Sequence, residues 1–234
     1  MKIAILSDIH ANIYAFEAVL KVIAKEKIEK TFVAGDLIGY YYWPKEIIEI
    51  CMNNKNIYCI KGNHEQNFLR AIKDSNYMLK TIKKYGSSYK IASEVLSSQE
   101  IDWLKNLPLF KNINLNNNSL HITHGSLDQI NKYIYPDSNI ESFKQQTTYA
   151  DYTILGHTHY PFIFANDGKW LINPGSVGQP RDNCFSASFF ILDLKTKVVI
   201  PKRVTYEFED IIKKIDLYDN NLIYLKKPFF KDKK

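Results

Sequence analysis

Three polar residues stand in the same position relative to three short apolar segments. Asp8 follows Lys2–Ser7, Asp36 follows Thr31–Ala34 and Asn63 follows Ile57–Ile60, each one to three residues past the end of its segment. The segments are short and hold no breaker, so they predict buried strands. Between the first two, Ile13, Phe16, Leu20 and Ile23 recur at helical spacing within Ala11–Lys27. Between the second and third, Pro44–Met52 predicts a helix with Pro44 at its first position. Strand and helix in alternation predict βαβ units and a parallel sheet. Ligands of such sheets gather at the carboxyl ends of the strands. The pattern therefore points to one site shared by Asp8, Asp36 and Asn63.

From Glu65 to Leu107 the spacing is helical throughout, which predicts a helical insertion or cap, about 65–107, within a single domain spanning 1–234. Strands are predicted again at Leu109–Leu115, Ser119–Thr123, Tyr152–Leu155, Phe162–Ala165, Trp170–Ile172, Ala187–Leu192 and Val198–Val204, and a last helix at Tyr206–Leu217. The Asn116–Asn118 and Asn166–Gly168 stretches suit hairpin turns.

The 234 residues are 45% apolar, enough for one sizeable core. No apolar run reaches the roughly 18 residues of a transmembrane helix, and Asp8 and His10 interrupt the apolar start before a signal peptide could form. Cys51, Cys59 and Cys184 are an odd set without CxxC spacing, so a reducing compartment is expected, and with it a cytoplasmic protein with no membrane partner. The net charge is +6, and half of it lies in the tail, where Lys226, Lys227, Lys231, Lys233 and Lys234 face Asp219 and Asp232. This reads as a solvated, lysine-biased terminus. No RNP, zinc-finger or helix-turn-helix signature points to nucleic acid. The oligomeric state stays open, an oligomer included.

Five of the six histidines sit in short motifs: Asp8-x-His10, Gly35-Asp36, Gly62-Asn63-His64, His124-Gly125 and Gly156-His157-Thr158-His159 carry all but His121. In extended backbone, residues i and i+2 project to one side, which would pair Asp8 with His10 and His157 with His159. The donors are carboxylate, imidazole and amide, without thiolate. That set suits Mn, Fe, Zn or Ni better than Mg alone. A carboxylate able to bridge, such as Asp36, would hold two ions roughly 3.5–4 Å apart. Two such ions, two aspartates and a hydroxide sum to about +1, a charge that attracts phosphate.

The five motifs, in this order, resemble the calcineurin-like metallophosphoesterase superfamily. The segment Asn173-Pro174-Gly175-Ser176-Val177-Gly178-Gln179-Pro180-Arg181 is similar to its small prokaryotic phosphoesterases, some of which resemble asymmetrical dinucleoside tetraphosphate hydrolases or phosphodiesterases. The resemblance implies an α/β (α+β) fold, a four-layer αββα sandwich of two mixed sheets. It implies two divalent ions, manganese first among Mn, Fe, Zn and Ni. Asp8, His10, Asp36 and His159 would hold one ion, and Asp36, Asn63, His124 and His157 the other. A metal-bridging hydroxide would attack phosphorus directly, and His64 would protonate the leaving oxygen. The implied substrate is a small phosphorylated molecule, nucleotides included. The other readings are a phosphoprotein (Ser/Thr) phosphatase and a non-catalytic protein-binding scaffold.

Three features depart from the family pattern. Leu37-Ile38-Gly39 lacks the acidic residue that orients the catalytic histidine in many relatives, Glu65 stands where aspartate is commoner, and Tyr40-Tyr41-Tyr42-Trp43 replaces a stretch often rich in Gly and Pro. The aromatic run could stack a nucleobase or pack under the cap. Arg181 could bind substrate by clamping a phosphate, or pair with Asp182. Asn12 reads as a helix cap and His121 as a structural histidine in a strand facing the core.

Overall fold

Ile3 and Ile5 point to one face of β1 (Lys2–Leu6), Ala4 and Leu6 to the other, and all four are fully buried. A strand buried on both sides must lie between layers. In the computed structural model, which describes residues 1–230, it does. The chain continues through α1 (Ile13–Lys25), β2 (Lys30–Val33), α2 (Pro44–Asn53) and β3 (Ile57–Cys59). Four helices follow: α3 (Asn63–Ala71), α4 (Ser75–Tyr85), α5 (Ser88–Val95) and α6 (Ser98–Asn106). Next come β4 (Phe110–Leu115), β5 (Asn118–Thr123), α7 (Ile140–Gln146), β6 (Tyr152–Ile154), β7 (Pro161–Asn166), β8 (Lys169–Pro174), β9 (Ala187–Asp193) and β10 (Val198–Val204). The helix α8 (Glu209–Tyr218) and a 3-10 helix (Ile223–Phe229) close the described chain.

The strands form two mixed five-stranded sheets, ordered β10-β9-β1-β2-β3 and β4-β5-β6-β8-β7. In the first, β1, β2 and β3 run parallel and β9 pairs antiparallel with β1. In the second, β5, β6 and β8 run parallel. Ile3, Ile5, Phe32 and Ile60 meet Leu120, Ile122, Tyr152, Ile154 and Ile172 between the sheets. Ala4, Leu6 and Val33 pack against helical residues on the outer face, and Leu155 and Leu171 meet Phe143 of α7 on the far side. The layers thus run helix, sheet, sheet, helix. Helices α3, α5 and α6 carry Phe68, Tyr89, Ala92 and Leu104 into the same core as β1 and α1.

Local chemistry explains the punctuation. Asn12 caps α1, its Oδ1 accepting from Ala15 N at 3.1 Å. The β4–β5 hairpin turns at Asn116 and Asn117 (φ 48° and 59°), and the β7–β8 hairpin at Asp167 and Gly168 (φ 50° and 75°). Two positive φ values in succession match the twist of a two-residue hairpin loop.

Two segments differ from the sequence expectation. Helix α7 occupies a stretch without a clear period. The lysine-rich end is folded up to residue 230: Leu225 and Phe229 are buried with Ile211 and Ile215 of α8, and Lys226 pairs with Asp216. Of the predicted solvated tail, residues 231–234 (Lys231, Lys233 and Lys234 with Asp232) lie outside the described residues. No helix among the described residues is long and apolar enough to cross a membrane.

Candidate metal centre

Five parallel strand ends converge on one cluster. Asp8 leaves β1, Asp36 leaves β2, Asn63 follows β3, His124 follows β5, and His157 and His159 follow β6. The segment Asn173–Arg181, leaving β8, braces these loops from behind. Ser176 Oγ donates to Asp8 O at 2.7 Å, Gly178 N donates to the same oxygen at 3.0 Å, and Asn173 Nδ2 donates to Gly156 O at 2.7 Å.

Asp8 and His10 meet as expected while His157 and His159 fall in different donor groups, and neither outcome comes from i, i+2 projection, because these residues are not extended. Asp8, His10, Asp36, His157 and His159 all have left-handed backbone, with φ of 55°, 51°, 56°, 69° and 63°. Each such residue costs roughly 1–2 kcal/mol, and strain of this kind persists where its surroundings hold it. Here Asp8 N donates to Gly35 O at 3.1 Å and His10 N to Asp36 O at 3.0 Å. Convergence comes from turning the backbone, not from strand alternation.

The donors of Asp8, His10 and His159 lie within 4.8 Å of one another, as do those of Asp36, His124 and His157. In the first group Asp8 Oδ2 accepts from His157 N at 3.0 Å, which leaves Oδ1 buried with no hydrogen-bond partner among the described residues. That oxygen lies 3.6 Å from His10 Nε2 and 3.3 Å from His159 Nε2. The two Nε2 atoms are themselves 3.1 Å apart. The Nδ1–H of His10 donates to Ile38 O at 3.1 Å and that of His159 to Gln179 O at 2.6 Å. A carbonyl can only accept, so in a neutral ring Nε2 carries the lone pair. Three lone pairs thus face one another with no hydrogen between them. A cation resolves that arrangement, and the backbone carbonyls are the outer-shell partners that metal-bound histidines use.

Asp36 links the two groups. Its Oδ1 accepts from His64 N at 2.8 Å, and Oδ2 lies 3.9 Å from His10 Nε2 and 3.1 Å from His124 Nε2. His124 Nε2 also stands 2.9 Å from Asn63 Oδ1, while its Nδ1–H donates to Ala34 O at 2.7 Å. His157 Nε2–H donates to Asn131 O at 3.2 Å, which leaves Nδ1 as its lone pair. Burial works to raise the carboxyls of Asp8 and Asp36, but the surrounding imidazoles hold both well below the usual carboxylate range. Burial opposes a charged His124 ring, yet Asp36 lifts its pKa to about 10. Burial lowers His157 and His159 to about 4, with His124 and Arg181 respectively adding to the effect. The donor set fits divalent transition ions.

His64 is held by a residue that the sequence did not single out. Tyr89 of α5, fully buried, places its hydroxyl 2.8 Å from His64 Nδ1. The ring also packs against Tyr40 and Tyr85, with centroids 4.8 and 4.7 Å away. Burial pushes the His64 pKa well down. Glu65 serves the backbone instead. Its carboxylate accepts from the N–H groups of Gly62, Asp36, Leu37 and Ile38 at 2.7, 3.0, 2.8 and 3.1 Å, tying the β2 loop to the start of α3. Burial and the Asp36 charge push this carboxyl up to about 7 against the pull of those donors. Gly62 permits the close approach of the Asp36 carboxylate, since a Cβ there would lie 2.1 Å from Asp36 Oδ1.

The remaining predicted residues divide. Arg181 lines the same small cavity as Asp36, Asn63, His64, His157 and His159. Asp182 pairs with Arg203, and Arg181 donates instead to Tyr40 Oη at 3.1 Å and Gln179 Oε1 at 2.9 Å. Of the aromatic run, Tyr40 faces the site, whereas Tyr41 and Tyr42 are buried against α8 and the 3-10 helix, donating to Leu225 O and Asp219 Oδ2. His121 is buried away from the centre. Its neighbours Leu120 and Ile122 enter the inter-sheet core, so alternation sends His121 to the opposite face, stacked on Phe110. Sequence reasoning missed Tyr89, and also Lys84, Tyr85 and Tyr133, which wall the cavity.

The calcineurin-like phosphoesterase superfamily domain matches residues 1–197. An uncharacterized protein of Methanocaldococcus jannaschii is 33% identical over 231 residues, 91% of each chain. A crystal structure of a metallophosphoesterase from Sphaerobacter thermophilus superposes with a TM-score of 0.78 at 26% identity, covering 97% of this chain and 98% of that one. A hypothetical protein from Pyrococcus horikoshii superposes with a TM-score of 0.85 over 100% and 99% of the two chains; at 23% identity that likeness concerns the fold.

Proposed function

The chain belongs to the calcineurin-like phosphoesterase superfamily, and from that premise we propose that it hydrolyses phosphate esters or anhydrides of small, nucleotide-like substrates with two divalent ions. The observation that carries this reading is Asp36 Oδ2. It stands between two donor groups, one of which holds the orphaned Asp8 Oδ1.

In this reading Asp8, His10 and His159 hold one ion, Asn63, His124 and His157 the other, and Asp36 reaches both. When bound, the ions supply Lewis acidity toward phosphate and an activated water. Manganese is the first choice among the transition ions that suit the donor set. His64, fixed by Tyr89 at Nδ1, presents Nε2 to the leaving oxygen; burial keeps the free ring neutral, so the proton it delivers is taken up once the charge of a bound phosphate offsets that burial. Arg181 and Lys84 border the same cavity and complement a phosphoryl group. A cytoplasmic location belongs to the same proposal: the three cysteines are free, as a reducing compartment keeps them.

The test is turnover with Mn²⁺ of p-nitrophenyl phosphate, its bis-ester and dinucleoside polyphosphates. No turnover of any, with metal bound, overturns the proposal. His64→Ala should lower turnover and keep the metal, whereas Asp36→Ala should lower both. Faster turnover of phosphopeptides than of nucleotides would favour the phosphoprotein reading.

A further inference from the structure

A larger cavity of about 510 Å³ adjoins the small one, and Tyr40, Lys84, Tyr85 and Arg181 line both. A substrate whose scissile phosphoryl group lies over His64 has room to extend into this space. We propose that the larger cavity is the subsite for the leaving half of the substrate, and that it selects a leaving group carrying an aromatic ring and a negative charge of its own, the chemistry of a nucleoside phosphate. The inference rests on the phosphoesterase reading above and names the substrate class of that site.

Three observations carry it. The first is aromatic content: Tyr85, Tyr160, Phe185, Tyr224 and Phe230 stand around the cavity. Such rings offer faces on which a base can stack. The second is charge: Lys84, Arg181 and Lys227 line the space, and among the described residues no aspartate or glutamate does. Among the described residues Arg181 hydrogen-bonds only to neutral groups, and Asp182 beside it is occupied by Arg203. Lys227 lines only the larger cavity. Its counter-charge therefore belongs on the leaving half, not on the phosphoryl group transferred.

The third observation is where the wall comes from. Tyr224, Lys227 and Phe230 lie beyond residue 197, where the superfamily match ends. This stretch is anchored, not loose: Tyr41 Oη donates to Leu225 O at 3.2 Å, Tyr224 Oη donates to Lys84 O at 2.5 Å, and Leu225 is fully buried. Part of the pocket wall thus lies outside the span that the superfamily domain matches. On hydrolysis, the bond between the scissile phosphorus and the bridging oxygen breaks. That oxygen departs with the electron pair on the half in the larger cavity. Water supplies the oxygen that joins phosphorus, and its protons pass to the products and solvent.

Cys184 supplies a readout independent of turnover. It lines the cavity and is exposed, whereas Cys51 and Cys59 are buried. In metal-free protein, ADP should slow alkylation of Cys184 by iodoacetamide at least fivefold at a concentration where inorganic phosphate has no effect. Lys227→Ala and Phe230→Ala should each raise the ADP concentration needed about tenfold. With Mn²⁺, both variants should lose at least fivefold more kcat/KM on ADP than on p-nitrophenyl phosphate, whose leaving group has a ring but no phosphate. Equal protection by ADP and phosphate, or equal losses on both substrates, overturns the inference. Cys184 protection by ADP without turnover of any ester would overturn the phosphoesterase reading and leave the subsite standing.

Discussion

Tyr89 occupies the position beside His64 Nδ1 where an acidic partner is expected, and a phenol differs from a carboxylate in what it can do there. It fixes the ring without adding a negative charge, at 2.8 Å and inside the core. Tyr89→Phe keeps the volume and removes one hydrogen bond of about 0.5–1.5 kcal/mol. The expected result is up to a tenfold fall in kcat on an alkyl phosphate ester, whose poor leaving group needs a proton. KM and metal content should be unchanged, and p-nitrophenyl phosphate should be hydrolysed nearly normally. Equal losses on the two esters would show that Tyr89 does not act through His64. The sequence made the seven proposed ligands legible because each lies in a motif of two to four residues next to a strand end. Tyr89 carries no such mark. It is 25 positions from His64 and sits on another helix, one that packs on α2 and α4, so only the tertiary fold brings the two side chains together.

At the scale of elements, Glu65 shows how one buried carboxylate can hold two segments in register. Four backbone N–H groups from the β2 loop and the start of α3 converge on it. Glu65→Gln replaces one accepting oxygen by a donor that faces other donors. A loss of about 3 kcal/mol or more is expected, since hydrogen bonds to charged groups contribute about 1.5–3 kcal/mol each. Urea denaturation checks it. Because the same loop carries Asp36, affinity for Mn²⁺ should fall by about 10- to 100-fold, as it does when outer-shell support of a ligand is lost. A stable variant with normal affinity would show that the loop holds its shape without the carboxylate. The elements themselves were readable where the period is clean, as in β1 and α1. Helix α7 buries only Phe143 and Gln146, too few for a period to show. The 3-10 helix hides Leu225 and Phe229 among lysines, so charge outweighed the apolar spacing that fastens it to α8.

For the whole molecule, the consequence of this architecture is a core that concentrates buried charge. Asp8, Asp36, Glu65, His10, His64, His124 and His159 are all nearly inaccessible, and they bridge loops from both sheets. Ions bound there, as proposed, would tie the sheets together and link folding to metal binding. At a free ion concentration about 100 times Kd the gain is about 2.7 kcal/mol, and for a chain of this length that raises Tm by about 5–10 °C. The gain must also depend on pH. In the metal-free protein His124 titrates at about 10, above the ordinary histidine value of 6.5. Its proton therefore stabilises the metal-free fold fully below about pH 6.5, and that contribution fades as pH rises through about 10. A metal ion at Nε2 displaces the proton, so apparent affinity should rise by up to tenfold, about 1.4 kcal/mol, per pH unit. Thermal unfolding with Mn²⁺ and with EDTA, at about pH 6.5 and about pH 8, reads both effects. The gap between the two curves should widen by several degrees at the higher pH. A gap that stays constant would mean that His124 holds no proton for the ion to displace, and that Asp36 and His124 are not joined as the geometry indicates.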